Sequence, residues 1–264
     1  MKAVRAIVLL ALACPLLFAQ DAHEIVRRAV ELDKGNDENW RTFTYLDHEL
    51  RKEFDGSGKV KTSSNRTFEV TFVDGSPYRK LVARDGKALS PEEAKAEEDR
   101  RIWNVEQRAK EPKEQREKRV SEWRKRQERQ REPLQEIPDA FTFQLVGSET
   151  IAGMDAYVID AVPRPGYKPK STYTSFLPKM KARVWISKRD AHWIKIDGET
   201  IDSFSYGGFV VRIGKGTRVT MEQGPVGGGV WLPTRIALAG SVRIMLVKSI
   251  HAELEMTYSQ YRKS

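Results

Sequence analysis

The sequence predicts a mainly β fold with helices: a strongly curved antiparallel sheet of about 11 strands. It would form an unclosed barrel, with an N-terminal helix and a two-helix lid. Three observations predict it. Apolar and polar residues alternate through most of the chain, as in Phe68, Val70 and Phe72 against Thr67, Glu69 and Thr71. Turn signals such as Asp74-Gly75, Asp85-Gly86 and Gly227-Gly228-Gly229 punctuate those runs. One long charged helical stretch, 90–138, interrupts them. So many antiparallel strands must curl, because a flat sheet of that size would splay and expose its edges.

The first element is not part of the fold. Residues 1–20 read MKAVRAIVLLALACPLLFAQ. Lys2 and Arg5 form a basic start, Ala6 to Phe18 an apolar run, and Ala19 a small residue for cleavage. That is the layout of a secretory signal peptide over 1–19, and the run is short for a membrane span of ~20 residues. Residues 20–264 then form one curved-sheet domain. A membrane-anchored form lipidated on Cys14 is the alternative, although the leucine usual three residues before such a cysteine is missing. Cleavage removes Cys14, the only cysteine, and lowers the net charge from +9 to +7. A cysteine-free exported chain excludes a disulfide framework and a thiol nucleophile, and it points to the periplasm of a bacterial envelope.

Asp21 to Glu24 has the spacing of a capping box, and apolar residues from Ile25 to Leu32 recur at helical spacing. The pattern predicts a short helix over 22–33. Strands over 43–54, around 67–73 and over 78–84 follow, as a three-stranded meander. Ser90-Pro91-Glu92-Glu93 is the strongest helix start in the chain. From Glu92 to Glu132 there are 14 basic and 12 acidic residues. Pro112 removes a donor and clashes with the preceding turn, so the stretch divides into helices near 91–110 and 113–131. No apolar residue falls between Ala109 and Val120, which excludes a coiled coil. Ile102, Trp103, Val105, Val120 and Trp123 are the residues expected to pin this lid to the sheet. From Asp139 onward the chain reads as strands near 181–188, 191–205, 208–215, 217–223, 230–240 and 244–258, after a first pair on either side of Ala152-Gly153.

Two strand pieces are distinctive: Ala182-Arg183-Val184-Trp185-Ile186-Ser187, and Gly229-Val230-Trp231-Leu232-Pro233-Thr234-Arg235. With the export signal and the order of elements, they resemble the strands of periplasmic outer-membrane lipoprotein-sorting carriers and the related anti-sigma-factor regulators. The resemblance implies an unclosed antiparallel barrel with helices as a lid. It transfers no functional residue one by one. The insertion at 90–138 is longer and more charged than such carriers need.

No residue cluster names a chemistry. His23, His48, His192 and His251 lack metal-ligand spacing, so no metal and no cofactor is expected. No Gly-x-Ser-x-Gly elbow occurs, and Gly214-Lys215-Gly216-Thr217 lacks the glycine spacing of a phosphate loop. A hydrolase with an unrecognised carboxylate site is the minor alternative. The apolar strand faces carry the main expectation. Phe68, Val70, Phe72, Phe141, Phe143, Leu145, Val184, Ile186, Ile236 and Leu238 would line the concave side of the half-barrel. The expected activity is non-enzymatic binding or carriage of a lipid, or of the acyl chains of a lipoprotein. The alternative is a regulatory module that senses an envelope membrane protein through the charged helices. A monomer without a nucleic-acid partner is expected, since basic and acidic residues interleave throughout.

Overall fold

The computed structural model describes residues 14–36, 39–206, 211–244 and 248–263. The basic start and most of the apolar run of the expected signal peptide lie outside the described residues, as do Gly207 and Gly208. Helix α1 (Cys14–Asn36) comes first. Strands β1 (Phe43–Phe54), β2 (Val60–Val73), β3 (Ser76–Arg84) and β4 (Lys87–Ala88) follow, then helices α2 (Pro91–Lys110) and α3 (Lys113–Ala140). Strands β5 (Phe141–Ile151), β6 (Met154–Pro163), β7 (Met180–Ser187), β8 (Trp193–Thr200), β9 (Phe204–Tyr206), β10 (Val211–Ile213), β11 (Arg218–Gly227), β12 (Val230–Ile244) and β13 (Lys248–Lys263) complete the chain.

All strand pairs are antiparallel, in the order β4-β3-β2-β1-β13-β12-β11-β8-β7-β6-β5, with β9 and β10 attached beside β12. Among the described residues no ladder joins β4 to β5, so the sheet stays open. The expected curved, unclosed sheet is thus present, with 13 strands rather than 11. Register shifts at Thr44/Leu46, Thr67/Phe68, Leu145/Gly147, Trp185/Ile186 and Glu222/Gln223 spread bulges across it. Each bulge bends its strand and adds twist, which helps the sheet to curl. The Asp-Gly turns behave as expected: Asp74 and Gly75 have φ of 47° and 78°, Asp85 and Gly86 of 52° and 74°.

The topology explains the charged insertion. β4 and β5 are consecutive strands at opposite edges of the open sheet. Their connection must cross from one edge to the other, and α2 and α3 make that crossing. The 28 residues of α3 span ~42 Å at 1.5 Å per residue. The helix start at Ser90 is as read: Glu93 N–H donates to Ser90 Oγ at 3.2 Å, and Ser90 N–H to Glu93 Oε2 at 3.0 Å. The break falls at Pro112, also as read.

Three boundaries differ from expectation. α1 is continuous from Cys14, so the Asp21–Glu24 box lies inside the helix rather than starting it. The preceding Leu16-Leu17-Phe18-Ala19-Gln20 includes good helix formers that extend the helix backwards. α3 does not stop at 131 but runs through Pro133 and Pro138 to Ala140. Beyond Pro133 the helix is held by the core, where Ile137 packs and Ala140 is buried, and that contact offsets the lost hydrogen bond. The stretch 191–205 divides into β8 and β9, where Asp202 Oδ1 accepts the Ser203 N–H at 2.7 Å and favours a turn.

The main core lies between α1 and the inner face of β5 to β8. Ala22, Val26 and Ala29 of α1 meet Phe141, Phe143, Ile159, Val184 and Ile186. Asp33 and Asn36 tie down the end of α1. Trp193 Nε1 donates to Asp33 Oδ1 at 3.0 Å, and the Trp231 N–H to Asn36 Oδ1 at 3.2 Å. A second cluster of Ala156, Val158, Trp185, Ile194 and Trp231 forms elsewhere on the sheet. Trp185 and Trp231, the tryptophans of the two distinctive strand pieces, therefore share one packing unit.

Candidate binding site

Pairing register builds the inner face row by row. One row reads Ile159, Val184, Ile196, Met221, Ile236 and Met256 from β6 to β13. The neighbouring row reads Ala161, Ala182, Gly198, Val219, Leu238 and Leu254 along the same strands. Beyond β13 both rows turn polar. Met256 is opposite Glu49, and Leu254 is opposite Arg51. These two rows are therefore apolar from β6 to β13 and charged where they reach β1.

The second row has a gap in volume. Ala161, Ala182 and Gly198 are adjacent on β6, β7 and β8, where the flanking row carries Ile159, Val184 and Ile196. Three small residues lower the floor of the sheet at that point, and α3 passes above it. A cavity of about 400 Å³ results. Its floor is Ala161, Ala182, Gly198, Val219 and Leu238. Pro133, Leu134 and Ile137 of α3 form the roof, and Phe176, Leu177, Phe204 and Ile213 close the side. That volume lies within the ~300–1,000 Å³ usual for ligand pockets. Thr200, Thr217 and Gln130 are the polar side chains in its wall. The two threonines are already engaged: Thr200 Oγ1 donates to the Gly214 carbonyl at 2.7 Å, and Thr217 Oγ1 to the same carbonyl at 2.8 Å.

A second cavity of about 340 Å³ abuts the first. Gln130, Leu134 and Met221 line both. Its character differs. Trp40, Tyr45, Trp193, Trp231, Tyr258 and Tyr261 surround it, with Asp33, Asp47, Glu222 and Arg131. The three tyrosines form a contact group: Tyr45 lies 5.3 Å from Tyr261 and 6.0 Å from Tyr258, ring centre to ring centre. Burial pushes all three phenols well above their ordinary value, so they stay neutral donors. Asp47 is 7% exposed. Its Oδ2 accepts from Arg79 at 2.7 Å, while its Oδ1 is buried without a hydrogen-bond partner. Trp40 Nε1 is likewise buried and unpartnered.

The residues expected to line the concavity divide three ways. Phe141, Val184 and Leu238 line the apolar cavity, and Ile236 lines the aromatic one. Phe143, Leu145 and Ile186 belong to the core beside α1, where Phe143 meets the His23 ring at 5.9 Å. Phe68, Val70 and Phe72 lie on the other half of the sheet and line neither cavity. Arg79 covers the Phe68 ring at 4.1 Å, Val70 is fully buried, and Phe72 packs against Trp40 and Trp123.

The lid residues also divide. Trp123 is 6% exposed and pins α3 to Phe72, and Val120 packs over Gly75. Val105 is half-buried. Ile102 and Trp103 differ from expectation in burial, at 44% and 59% exposed. α2 is anchored by polar groups. Lys80 Nζ meets Glu98 at 2.8 Å, and Arg108 donates to the carbonyls of Val73 and Ser76 at 3.0 and 3.2 Å. Apolar spacing along the helix gives no sign of these anchors, because one is an ion pair and the other binds backbone carbonyls at the β2–β3 turn.

Among the described residues no group of three or more His, Cys, Asp or Glu side chains is placed to hold a metal ion. No helix among them is long and apolar enough to cross a membrane.

No protein-family model matches the chain, and no curated protein matches it. Solved structures do. A domain assigned as an outer membrane lipoprotein-sorting protein from Vibrio parahaemolyticus is 11% identical, with 92% of each chain covered and a TM-score of 0.36. A DUF1329 family protein from Desulfovibrio piger is 12% identical, with 94% of this chain and 93% of that chain covered and a TM-score of 0.35. A LolA superfamily protein from Nitrosomonas europaea is 10% identical, with 92% and 93% covered and a TM-score of 0.31. Values this low carry no function across, so any functional reading rests on the cavities themselves.

Proposed function

We propose that this chain is a non-enzymatic binding protein of the bacterial envelope that holds an apolar ligand, a lipid or the acyl chains of a lipoprotein, between α3 and the inner face of the sheet. The observation that carries the reading is the apolar cavity over the small-residue floor of Ala161, Ala182 and Gly198. About 400 Å³ of apolar space between a helix and a sheet is the size and character of site that holds an apolar ligand, which supports the reading. The signal peptide supplies the compartment, and export to the periplasm would place the protein among lipids and lipoproteins. Export also argues against a nucleic-acid partner. A monomer suffices, because one chain supplies floor, roof and side wall.

The test is direct. The protein is purified from its native host, extracted with organic solvent, and titrated with a fluorescent acyl probe. Co-extracted lipid and saturable probe binding are expected. Absence of both overturns the reading.

A second reading has its own observation. Ile102 and Trp103 are exposed apolar residues on an otherwise charged helix. In a regulatory module they would contact an envelope membrane protein. Loss of a partner in a pull-down with Trp103→Ala, with probe binding intact, would favour that role.

A further inference from the structure

The aromatic cavity points to the chemistry of the ligand's polar end. We propose that it receives a cationic amine headgroup, primary or quaternary, of an amphiphile whose chain lies in the apolar cavity. The inference rests on the acyl-ligand reading above and deepens it.

Three observations carry it. First, the two cavities abut at Gln130, Leu134 and Met221, which sets a headgroup site directly beside a chain site. Second, the wall chemistry changes abruptly between them. One is lined by aliphatic and Phe side chains, the other by Trp and Tyr rings with carboxylates. Aromatic rings attract a cation through the negative charge of their faces, and they tolerate its methyl groups or methylenes as well. Third, the aromatic cavity holds an acceptor that the fold leaves unused. Asp47 Oδ1 is buried in its wall with no hydrogen-bond partner, although the same carboxylate binds Arg79 through Oδ2. A buried carboxylate oxygen without a partner is costly; a primary ammonium would donate a hydrogen bond to it, whereas a quaternary one, which has no N–H, would meet it through charge alone.

The charge balance agrees. Asp33, Asp47 and Glu222 line the cavity against Arg131 alone. Arg79 and Arg235 reach Asp47 and Glu222 without lining it, and Arg235 is held closer to Glu255, at 2.6 Å, than to Glu222, at 3.5 Å. Two of the three carboxylates already pair with arginines, so the lining disfavours an anionic head modestly.

The experiment compares three probes with the same twelve-carbon chain: dodecylammonium, dodecyl maltoside and dodecyl sulfate. Each is titrated below its micellar concentration into the full chain by calorimetry. The cationic probe should bind about tenfold or more tighter than the neutral one, and the sulfate weakest. Asp47→Asn and Tyr258→Leu should each erase most of that preference, read as the ratio of cationic to maltoside affinity. Two variants are used because Asp47 is buried, and circular dichroism verifies that each is folded. If all three probes bind alike, or the sulfate binds best, the headgroup assignment fails while the acyl-chain reading stands. If none binds, both fail.

Discussion

The indole of Trp123 meets the ring of Phe72 edge to face, with centroids 5.8 Å apart and planes at 73°. Arg41 lies over the same indole at 4.8 Å, and Trp40 closes on Phe72 from another side at 5.5 Å. This cluster is the apolar anchor of a helix that otherwise carries charge, and it joins α3 to β2 across the mouth of the sheet. Trp123→Ala should therefore cost about 3–5 kcal/mol of stability, the usual range for removing a buried tryptophan. Trp103→Ala, on the exposed face of α2, should stay within about 0.5 kcal/mol of the parent. Urea denaturation of the two variants measures the contrast. Equal losses would mean that Trp103, too, is packed.

Gly240 is the most tightly enclosed of the described glycines. A Cβ there would stand 2.3 Å from Thr217 Oγ1 and 2.7 Å from Thr217 Cα. Thr217 cannot step aside. It is buried, its N–H donates to Thr200 Oγ1 at 2.9 Å, and its hydroxyl is held by the Gly214 carbonyl. Gly240→Ala should thus destabilise by about 1–3 kcal/mol or more through overpacking. Gly56, with open space around it, is the control: Gly56→Ala should change stability by less than about 0.5 kcal/mol. Thermal melts of both variants decide the matter.

Asp47 makes stability depend on pH in an uncommon direction. Burial raises its carboxyl above the ordinary 3.8, and the nearby Arg79 only partly opposes that. The folded chain then holds this proton to a higher pH than the unfolded chain does. Between the two values the folded state binds more protons, so this residue's contribution falls as pH rises. Asp47→Asn removes that slope. Relative to the parent, the variant should gain stability as pH rises from about 3 to 7. Unfolding free energies measured in urea across that range should diverge in the variant's favour. Parallel curves would show that Arg79 holds the carboxylate at its ordinary value.

Much of the fold was legible because strand periodicity and turn chemistry are local. Asp74-Gly75, Asp85-Gly86, Ser90 to Glu93 and Pro112 each mark the boundary that they mark in the structure. The candidate site was less legible, for two physical reasons. Its floor consists of Ala161, Ala182 and Gly198, which carry almost no hydropathy signal, so large apolar residues drew attention instead. Its aromatic half joins Tyr45 of β1 to Tyr258 and Tyr261 of β13, more than 200 residues later. Such a pairing depends on which strands become neighbours, and alternation within one strand does not encode that. Phe68, Val70 and Phe72 alternate as well as Phe141 does, yet they lie beyond the point where the inner rows turn polar.

The small-residue floor can be tested by filling it. Ala182 lies between Ala161 and Gly198 on the inner face and lines the apolar cavity. A phenylalanine there would project into empty space rather than into packed atoms, so Ala182→Phe should fold with a stability change of about 1 kcal/mol or less. It should also remove most of the space an acyl chain would use and abolish binding of a fluorescent acyl probe. Ala156 gives the contrast. It is fully buried in the cluster of Val158, Trp185, Ile194 and Trp231, which has no such void. Ala156→Phe should cost about 1–3 kcal/mol or more from overpacking. Probe titration and urea denaturation of both variants read the two effects separately. A folded Ala182→Phe variant that binds the probe as tightly as the parent would place the ligand elsewhere.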